Sequence, residues 1–268
     1  MTRAGVIGSP ISHSLSPVLH RAAYQALGLD WTYESADVDV EQLPGFVAGL
    51  DDSWVGLSLT MPLKEAVLGL ADEIDDIARA TTSANTFLLA SRTAVNTDLD
   101  GIRVALQRGG FDVSPGFSAT VVGAGATARS AVAAASELGA GHLRIMARRP
   151  QAAGEAVKTA DRLGLPVTVH GIGDAEALSS DLVISTVPAG AADQLLPLLP
   201  EHPRWLLDVV YAPWPTQVAG AWQVAGGRIV SGLEMLLAQA ERQVELMTGL
   251  PAPTEAMRAA LEAKHAQG

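Results

Sequence analysis

The chain has 268 residues, enough for one or two domains, and 48% of them are apolar, which is enough for a sizeable core. Its formal net charge of −11 argues against nucleic acid and anionic membranes as partners, and the absence of cysteine excludes thiol catalysis, disulfides and cysteine-based zinc sites. Because it has no signal-like N-terminus and no uninterrupted apolar stretch of roughly eighteen residues, we expect nothing to span a bilayer and a cytoplasmic protein.

The predicted elements alternate between strands and helices along the chain. Apolar runs predict strands at residues 4–7, 31–36, 54–59, 86–89, 119–122, 142–146, 167–169, 182–185, 205–209 and 228–230. Helical spacing predicts helices at residues 17–27, 43–50, 72–80, 98–107, 129–138, 151–163, 215–225, 233–247 and 254–265. Such alternation is typical of an α/β fold in which a mostly parallel sheet is covered by helices on both faces.

Residues 119–149 have the pattern of a dinucleotide-binding unit: a strand, a glycine turn, an alanine-rich helix and a second strand. The turn reads Gly123-Ala124-Gly125-Ala126-Thr127-Ala128. Gly123 suits a tight turn, Gly125 lets the backbone approach a pyrophosphate, and Ala128 keeps the helix close to the strand. The N-terminus of the helix would then offer N–H groups and the positive end of its dipole to the phosphates.

The end of the second strand indicates which dinucleotide is bound. An acidic residue there binds the ribose 2′-hydroxyl of NAD, but this chain has Ala147, Arg148 and Arg149. Two guanidinium groups suit a 2′-phosphate through charge-assisted hydrogen bonds, so we expect NADP. A methyltransferase that binds S-adenosylmethionine can carry the same glycine pattern, but it too would be expected to have an acidic residue at this strand end.

Several polar residues that follow the predicted strands have an ordinary structural role as well as a chemical one. Ser14 and Ser16 favour a turn, with Ser16 as the N-cap of a helix that starts at Pro17. Lys64 falls in the first turn of a helix, where the helix dipole disfavours a cation. The ordinary interpretation is a solvated lysine on the surface, where most lysines lie. Asp98 can cap the helix that follows it.

Six motifs occur in an order that resembles the shikimate dehydrogenase family. They are Ser14-Leu15-Ser16-Pro17, Thr60-Met61-Pro62-Leu63-Lys64, Ser83-Ala84-Asn85-Thr86, Asn96-Thr97-Asp98, the glycine turn, and Gly232-Leu233-Glu234-Met235-Leu236-Leu237-Ala238-Gln239. The resemblance runs from about Gly5 to Gln239, nearly the whole chain. It implies the reversible NADPH-dependent reduction of 3-dehydroshikimate to shikimate, in the pathway to chorismate and the aromatic amino acids.

The resemblance also implies a division into domains. An N-terminal, mainly parallel α/β substrate domain would comprise residues 1–98 and 233–268, and a Rossmann-type NADP domain would comprise residues 99–232. The C-terminal helices would pack back on the first domain, and the active site would lie in the cleft between the domains. The expected partners are a small-molecule substrate, shikimate or 3-dehydroshikimate, and NADP; the chain would be a monomer or a homodimer, and no metal is implied.

Individual residues receive roles from the same resemblance. Lys64 and Asp98 would be the catalytic pair, since a lysine can give a proton to a developing alkoxide and an aspartate can orient the reacting hydroxyl. The substrate-binding residues would be Ser14, Ser16, Ser58, Thr60, Asn85, Tyr211 and Gln239. The cofactor-binding residues would be Gly123, Ala124, Gly125, Ala126, Thr127, Ala128, Arg148, Arg149, Thr186, Val209, Gly232 and Met235. Hydroxyl and amide groups suit a small polyol acid, because each buried substrate hydroxyl needs a hydrogen-bond partner.

The chain departs from the family pattern at three places. Ser58 stands where the family usually has asparagine, Ala147-Arg148-Arg149 stands where it usually has Asn-Arg-Thr, and Glu234 stands where it often has glycine. Two other functions stay open. A quinate/shikimate dehydrogenase would have broader substrate or NAD use, and a non-catalytic dinucleotide-responsive binding module should have lost Lys64 or Asp98, which are both present.

Overall fold

A computed structural model describes residues 1–112 and 114–265. The backbone divides into two compact units: unit 1 consists of Met1–Thr97 and Leu236–Gly268, and unit 2 consists of Asp98–Met235. In the part of the chain that the structure describes, helices are either too short or too polar to cross a lipid bilayer. The predicted α/β class is confirmed, and it takes the form of one sheet in each unit.

The sheet of unit 1 is mixed rather than wholly parallel. Its strands are β1 (Thr2–Gly8), β2 (Trp31–Asp37), β3 (Trp54–Leu59), β4 (Glu73–Ile74), β5 (Thr86–Leu88) and β6 (Thr93–Val95), in the order β2-β1-β3-β5-β6-β4. β1 pairs in parallel with β2 and β3, so it is covered on both faces and its inner residues are apolar or small. β5 runs antiparallel to β3 and β6. All of the predicted ligands that follow β1 and β3 therefore lie at the same edge of the sheet, because these two strands are parallel.

The helices of unit 1 come from both ends of the chain. They are α1 (Ser16–Ala26), α2 (Leu43–Ala48), α3 (Leu63–Ala66), α4 (Asp76–Thr81), then α9 (Gly232–Thr248), which begins in unit 2, and α10 (Thr254–His265). As expected, the C-terminal helices pack on elements formed by the N-terminal residues. α10 packs against α1, and Met247 of α9 lies so near β3 that a Cβ on Gly56 would come within 3.1 Å of it.

Two short strands of unit 1 differ from the sequence-based prediction. The predicted helix at 72–80 begins instead with β4, and α4 starts only at Asp76, where the Asp75 carboxylate caps it by accepting from the Ala78 N–H. Residues 93–95, where the sequence predicts neither a strand nor a helix, form β6. β4 pairs in parallel with β6, a partner distant in sequence, and β6 pairs also with β5, so both short strands depend on pairing.

The sheet of unit 2 is parallel throughout the described pairings. Its strands are β7 (Ser118–Val122), β8 (His142–Ala147), β9 (Val167–Gly171), β10 (Leu182–Ser185), β11 (Trp205–Asp208) and β12 (Arg228–Ser231), in the order β12-β11-β10-β7-β8-β9. Its helices are α5 (Asp98–Arg108), α6 (Ala126–Glu137), α7 (Gly154–Arg162) and α8 (Gln217–Val224). Counted within this unit, the strand order is 3-2-1-4-5-6 from the β9 edge, which is the doubly wound order of dinucleotide-binding folds. Ligands of such sheets bind outside the carboxyl ends of the strands, where the order reverses between β7 and β10.

Each unit has its own apolar core. In unit 1, Leu57, Phe87 and Leu63 belong to a fully buried cluster on the sheet. In unit 2, Trp222 of α8 and Met146 of β8 belong to a second cluster. The strands that carry the predicted site residues are thus held by cores that lie within their own unit.

Candidate active site

The serines of the first loop lie at the carboxyl end of β1. Residues 9–15 connect β1 to α1, which begins at Ser16. The N-cap role predicted for Ser16 was wrong: Leu15 holds the cap position without a side-chain cap bond, and Ser16 is the first helical residue. The Ser14 hydroxyl accepts a hydrogen bond from the Ser16 N–H at 3.3 Å. Ser16 is buried and Ser14 is half-buried. The hydrogen bond between them fixes the position of the Ser14 hydroxyl relative to the start of α1.

Thr60 and Lys64 follow β3, the strand beside β1. The Thr60 N–H donates to the carbonyl of Ile7 at 3.0 Å, and a Cβ added to Gly8 would lie only 2.4 Å from Thr60 Cγ2. Lys64 is the second residue of α3, so its predicted place in a first helical turn is confirmed. The Lys64 carbonyl accepts from the Ala84 N–H at 2.8 Å. The backbone of the lysine is therefore tied to the connection that leads into β5.

Asn85 and Gln239, two predicted substrate ligands, contact each other inside unit 1. Asn85 Oδ1 accepts from the Thr97 N–H at 2.8 Å, from Thr97 Oγ1 at 3.1 Å and from Thr86 Oγ1 at 3.2 Å. Asn85 Nδ2 donates to Gln239 Oε1 at 3.2 Å, and Gln239 Nε2 donates to the Leu236 carbonyl at 2.9 Å. These bonds determine which end of each amide is the donor, so the two side chains have defined orientations.

Ser58 belongs to a buried network centred on Gln243 of α9, and it is only 3% exposed. Ser58 Oγ donates to Gln243 Oε1 at 2.8 Å and accepts from the Tyr33 hydroxyl at 2.6 Å. A serine has a single hydroxyl proton, and here that proton is already donated. In this arrangement Ser58 can act toward a substrate only as an acceptor.

Gln243 satisfies both ends of its amide within unit 1. Besides Ser58, its Oε1 faces His20 Nε2 at 3.2 Å. Its Nε2 donates to the Asn85 carbonyl at 3.1 Å and to Thr86 Oγ1 at 3.0 Å. Gln243 thus joins α9 to α1, β3 and β5, and it fixes the backbone on which Asn85 sits.

His20 is the titratable member of this network, and it is fully buried. Its ring stacks on Tyr33 with centroids 4.0 Å apart, and its Nδ1 lies 3.4 Å from the Tyr24 hydroxyl. Burial lowers the pKa of His20 to about 4, against the opposing effect of its bond to Gln243. The neutral ring then donates through Nε2 to Gln243 and accepts at Nδ1, which matches the hydrogen-bonding capacity of both neighbours.

Asp98 opens α5 and belongs to unit 2. Its side chain is 4% exposed. Asp98 and Asp100 both lie in the first turn of α5, where a carboxylate is stabilised by the positive end of the helix dipole. The residue before it in the chain is Thr97, which Asn85 and Gln239 hold in place, so the start of α5 is anchored at the preceding peptide.

The glycine turn of unit 2 has the geometry expected from its sequence. β7 ends at Val122, and α6 begins at Ala126 with Gly125 in the cap position. Gly123 has φ +124°, and a Cβ there would lie 2.3 Å from Thr186 Oγ1, so only glycine fits. A Cβ at Gly125 would meet no heavy atom within 4 Å, which leaves room for a ligand to approach the backbone. The remaining predicted residues of the turn are Ala124, Thr127 and Ala128, of which Ala128 is fully buried.

A cavity of about 300 Å³ lies beside this turn at the end of β8. Gly123, Ala124, Arg148 and Arg149 line it, and both arginines are exposed. The cavity is also lined by residues that the sequence did not single out: Met146, Ala147, Ala152, Ile172, Val187, Pro188, Ala191 and Gln194. Two cationic side chains at a cavity that reaches the glycine turn suit a phosphorylated dinucleotide, and the N-terminus of α6 follows that turn directly.

The other predicted cofactor residues follow β10, β11 and β12. Thr186 donates through Oγ1 to the Val122 carbonyl at 2.8 Å. A Cβ at Gly232 would lie 2.1 Å from the Val209 carbonyl oxygen, so Gly232 is required for this close approach. Tyr211 is half-buried, and burial raises the pKa of its hydroxyl. Met235 of α9 is 7% exposed and completes this group of residues.

A second cavity, of about 260 Å³, contains none of the predicted residues. It is lined by Arg3, Glu34 and Trp54 among others. The Arg3 guanidinium forms an ion pair with Glu34 and stacks over Trp54 at 4.5 Å, so these groups already partner one another. Among residues 1–112 and 114–265, histidine and acidic side chains do not cluster in groups of three that could hold a metal ion.

Two family models match the chain. The model of the shikimate dehydrogenase substrate binding domain matches residues 6–87. The model of the shikimate 5′-dehydrogenase C-terminal domain matches residues 232–262. Both matches lie mainly within unit 1, and they include the end of β1, all of β3 and α9, and most of α10.

Whole proteins are also similar to the chain. The shikimate dehydrogenase (NADP(+)) of Citrifermentans bemidjiense is 39% identical over 276 residues, which cover 97% of this chain and 94% of that protein. The crystal structure of Mycobacterium tuberculosis shikimate dehydrogenase is 43% identical, with a TM-score of 0.88 over 98% of this chain and 100% of that chain. The Thermus thermophilus enzyme in complex with NADP(H) and shikimate is 31% identical, with a TM-score of 0.86 over 98% and 99% of the two chains.

Proposed function

Because the chain belongs to the shikimate dehydrogenase family, we propose that it catalyses the reversible NADPH-dependent reduction of 3-dehydroshikimate to shikimate. The observation that carries this proposal is the cavity beside the glycine turn, with Arg148 and Arg149 at its rim. It is supported by the similarity over nearly the whole chain to enzymes that bear this name and to a structure that binds NADP(H) and shikimate. The product would feed the pathway to chorismate and the aromatic amino acids.

We assign the cofactor to unit 2 and the substrate to unit 1, in line with the domain division expected from the sequence. NADPH supplies the hydride when it is bound. The open backbone at Gly125 and the N-terminus of α6 bind the pyrophosphate, and the Arg148 and Arg149 guanidinium groups bind the 2′-phosphate. Thr186, Val209, Gly232 and Met235 hold the other half of the cofactor at the ends of β10–β12.

Lys64 and Asp98 handle the proton in this proposal. Reduction of a ketone produces an alkoxide, which needs both a proton and a stabilising positive charge. The Lys64 ammonium can provide both, and its backbone is fixed by Ala84. In the reverse direction, the oxidation of shikimate, the Asp98 carboxylate accepts a hydrogen bond from the hydroxyl at the reacting carbon and so orients it.

The carboxylate and hydroxyl groups of shikimate are bound by polar side chains of unit 1. Asn85 and Gln239 act with fixed amide orientations, as described above. Thr60 and the first-loop serines, Ser14 and Ser16, complete the set of hydroxyl ligands. Ser58 contributes as an acceptor because its own proton goes to Gln243. Tyr211, the remaining expected substrate ligand, belongs to unit 2.

A rate assay at about 340 nm tests substrate, cofactor and reaction together, since NADPH and NADH absorb there and their oxidised forms do not. Shikimate and quinate are each offered with NADP and with NAD. Of the four combinations, we expect a strong signal only with shikimate and NADP. Comparable rates with quinate or NAD would move the chain to the quinate/shikimate dehydrogenases. Four blanks, with the dinucleotide still bound in a titration, would support the non-catalytic binding module instead.

A further inference from the structure

Asp208 is a buried carboxylic acid at the carboxyl end of β11, and the proposed reaction does not use it. It is 1% exposed. One carboxylate oxygen accepts from the Val210 N–H at 3.2 Å, and the other accepts from Thr216 Oγ1 at 2.8 Å. Burial raises the pKa of Asp208, while its bond from Thr216 acts in the opposite direction. A buried acid is retained in a fold only where its partners compensate the loss of water, so both bonds contribute to its placement.

The two bonds of Asp208 close one segment of chain at both ends. Val210 lies at the start of the segment 209–216, and Thr216 lies at its end. Thr216 also caps α8, because its Oγ1 accepts from the Ala219 N–H at 3.1 Å. A single carboxylate therefore joins the end of β11 to the start of α8 by bonds at both ends of this segment.

The start of this segment is held from two further sides. The Val209 N–H donates to the Ser185 carbonyl of β10 at 3.0 Å. The Val209 carbonyl lies against Gly232, where a Cβ would come within 2.1 Å of its oxygen. Asp208, Ser185 and Gly232 thus hold the Val209 backbone in one position at the ends of three neighbouring strands.

This position corresponds to one half of a dinucleotide site. The glycine turn follows β7, and the two arginines follow β8, so the adenosine end with its 2′-phosphate lies on the β7–β8 side. In a doubly wound sheet the dinucleotide extends across the point where the strand order reverses, so its second half lies over the carboxyl ends of β10–β12. Residues 209–211 are there, whereas none of them lines the cavity on the arginine side.

We propose that Asp208 is a positioning residue for the nicotinamide half of the cofactor, acting through the Val209–Val210 backbone to which it is bonded. This inference rests on the proposed use of NADP. Asp208 makes no contact with the cofactor in this assignment. Its effect is to hold the Val209–Val210 backbone in place at the end of β11.

The test compares NADP with 2′,5′-ADP, which has the adenosine 2′-phosphate end but no nicotinamide. Dissociation constants for both are measured by isothermal titration calorimetry on the full chain, with thermal unfolding as a check of folding. The variants are Asp208→Ala, Thr216→Val, which removes the hydroxyl at similar volume, and Thr216→Ser, which keeps it. We expect the first two to weaken NADP by about tenfold or more and 2′,5′-ADP by less than about twofold. Thr216→Ser should bind NADP nearly as the natural chain does.

The kinetic readout separates positioning from stability. A misplaced nicotinamide lowers kcat, whereas KM for shikimate should stay nearly unchanged. If NADP and 2′,5′-ADP weakened in parallel in the folded variants, or if only the melting temperature fell, the role of Asp208 would be structural alone and the inference would be overturned. If the natural chain bound neither ligand, the proposed cofactor itself would be wrong, and the inference would fall with it.

Discussion

Gln243 controls the hydrogen-bonding direction of the residues around it. Its carbonyl oxygen accepts from Ser58 and faces His20, so its amide nitrogen must point to the Asn85 carbonyl and Thr86. A flipped amide would place its NH2 group against the donors Ser58 and His20, and its oxygen against the Asn85 carbonyl oxygen. The sequence motif that names Gln239 stops four residues before Gln243, although residues four apart share a helix face. That spacing was the signal that could have found Gln243.

At the scale of single residues, His20 should make the free energy of unfolding depend on pH. The folded chain lowers the pKa of His20 from 6.5 to about 4, so between these values the unfolded chain binds a proton that the folded chain does not. The free energy of unfolding therefore falls as the pH falls through this window, by about 2 kcal/mol between roughly pH 7.5 and pH 5. Urea unfolding across that range measures it. The same series with His20→Gln should lack this component; an unchanged pH slope in the variant would contradict the assignment.

Arg148 should distinguish the two dinucleotides. Its guanidinium would bind a group that NADP has and NAD lacks, so Arg148→Ala should weaken NADP by about 10- to 100-fold and leave NAD nearly unchanged. Titration of both cofactors measures the two dissociation constants. Arg162→Ala, at the exposed end of α7, is the matched control and should affect neither. Equal losses for NADP and NAD would show that the 2′-phosphate is read elsewhere.

Lys64 should act on the chemical step rather than on binding. Lys64→Ala is expected to lower kcat by about 10²- to 10⁴-fold with a modest change in KM for shikimate, because the charge it stabilises develops in the transition state. Steady-state kinetics in both directions measures the split. Lys158→Ala, an exposed lysine paired with Glu155 on α7, serves as the control and should leave kcat unchanged. Near-normal turnover in Lys64→Ala would remove this lysine from the mechanism.

At the scale of elements, local signals were sufficient for some segments and not for others. The unit from β7 to β8 was predicted to within a few residues because apolar runs, glycines and alanine-rich helix lie next to one another in the chain. β4 and β6 were not predicted, since two- and three-residue strands have no periodicity of their own and form by pairing, β4 with β6 and β6 also with β5. The network of Tyr33, His20 and Gln243 was missed for the same reason: its members come from distant elements.

The junction between β12 and α9 should tolerate no side chain. A Cβ at Gly232 would meet the Val209 backbone, which cannot rotate away, so Gly232→Ala should destabilise the chain by about 1–3 kcal/mol. Gly220 in α8 is the matched control, because a Cβ there meets no heavy atom within 4 Å. Gly220→Ala should stabilise the chain by about 0.5–1 kcal/mol. Chemical unfolding of both variants measures the difference, and a neutral Gly232→Ala would refute the close approach.

At the scale of the whole chain, the two units differ in continuity. Unit 2 is one uninterrupted segment, Asp98–Met235, and every strand of its sheet comes from that segment. Unit 1 is made from two segments that are far apart in sequence. Its N-terminal segment carries the sheet, but Gln243 and Met247 of α9 and the helix α10 come from the C-terminal segment. The fold of unit 1 therefore depends on residues that lie beyond unit 2 in the chain.

This difference should appear when the segments are expressed separately. A fragment of residues 98–235 should fold alone, with a cooperative thermal transition and measurable binding of 2′,5′-ADP, because its core and its glycine turn are complete. A fragment of residues 1–97 should lack a cooperative transition, because its buried polar groups lose Gln243 and part of its sheet loses its cover. Circular dichroism melts measure both. A cooperative transition in the 1–97 fragment would show that α9 and α10 are dispensable for this sheet.

The discontinuity of unit 1 also has a consequence for the order of events on the ribosome. The first 97 residues emerge first, yet β3 and α1 lack the partners that α9 and α10 supply until those helices have been translated. At common elongation rates this delay amounts to roughly ten to thirty seconds. The second unit completes its chain during that interval, so the later-made half reaches its native state before the earlier-made half. The exposed strands of the N-terminal segment are then the part of the nascent chain to which we expect chaperones to bind.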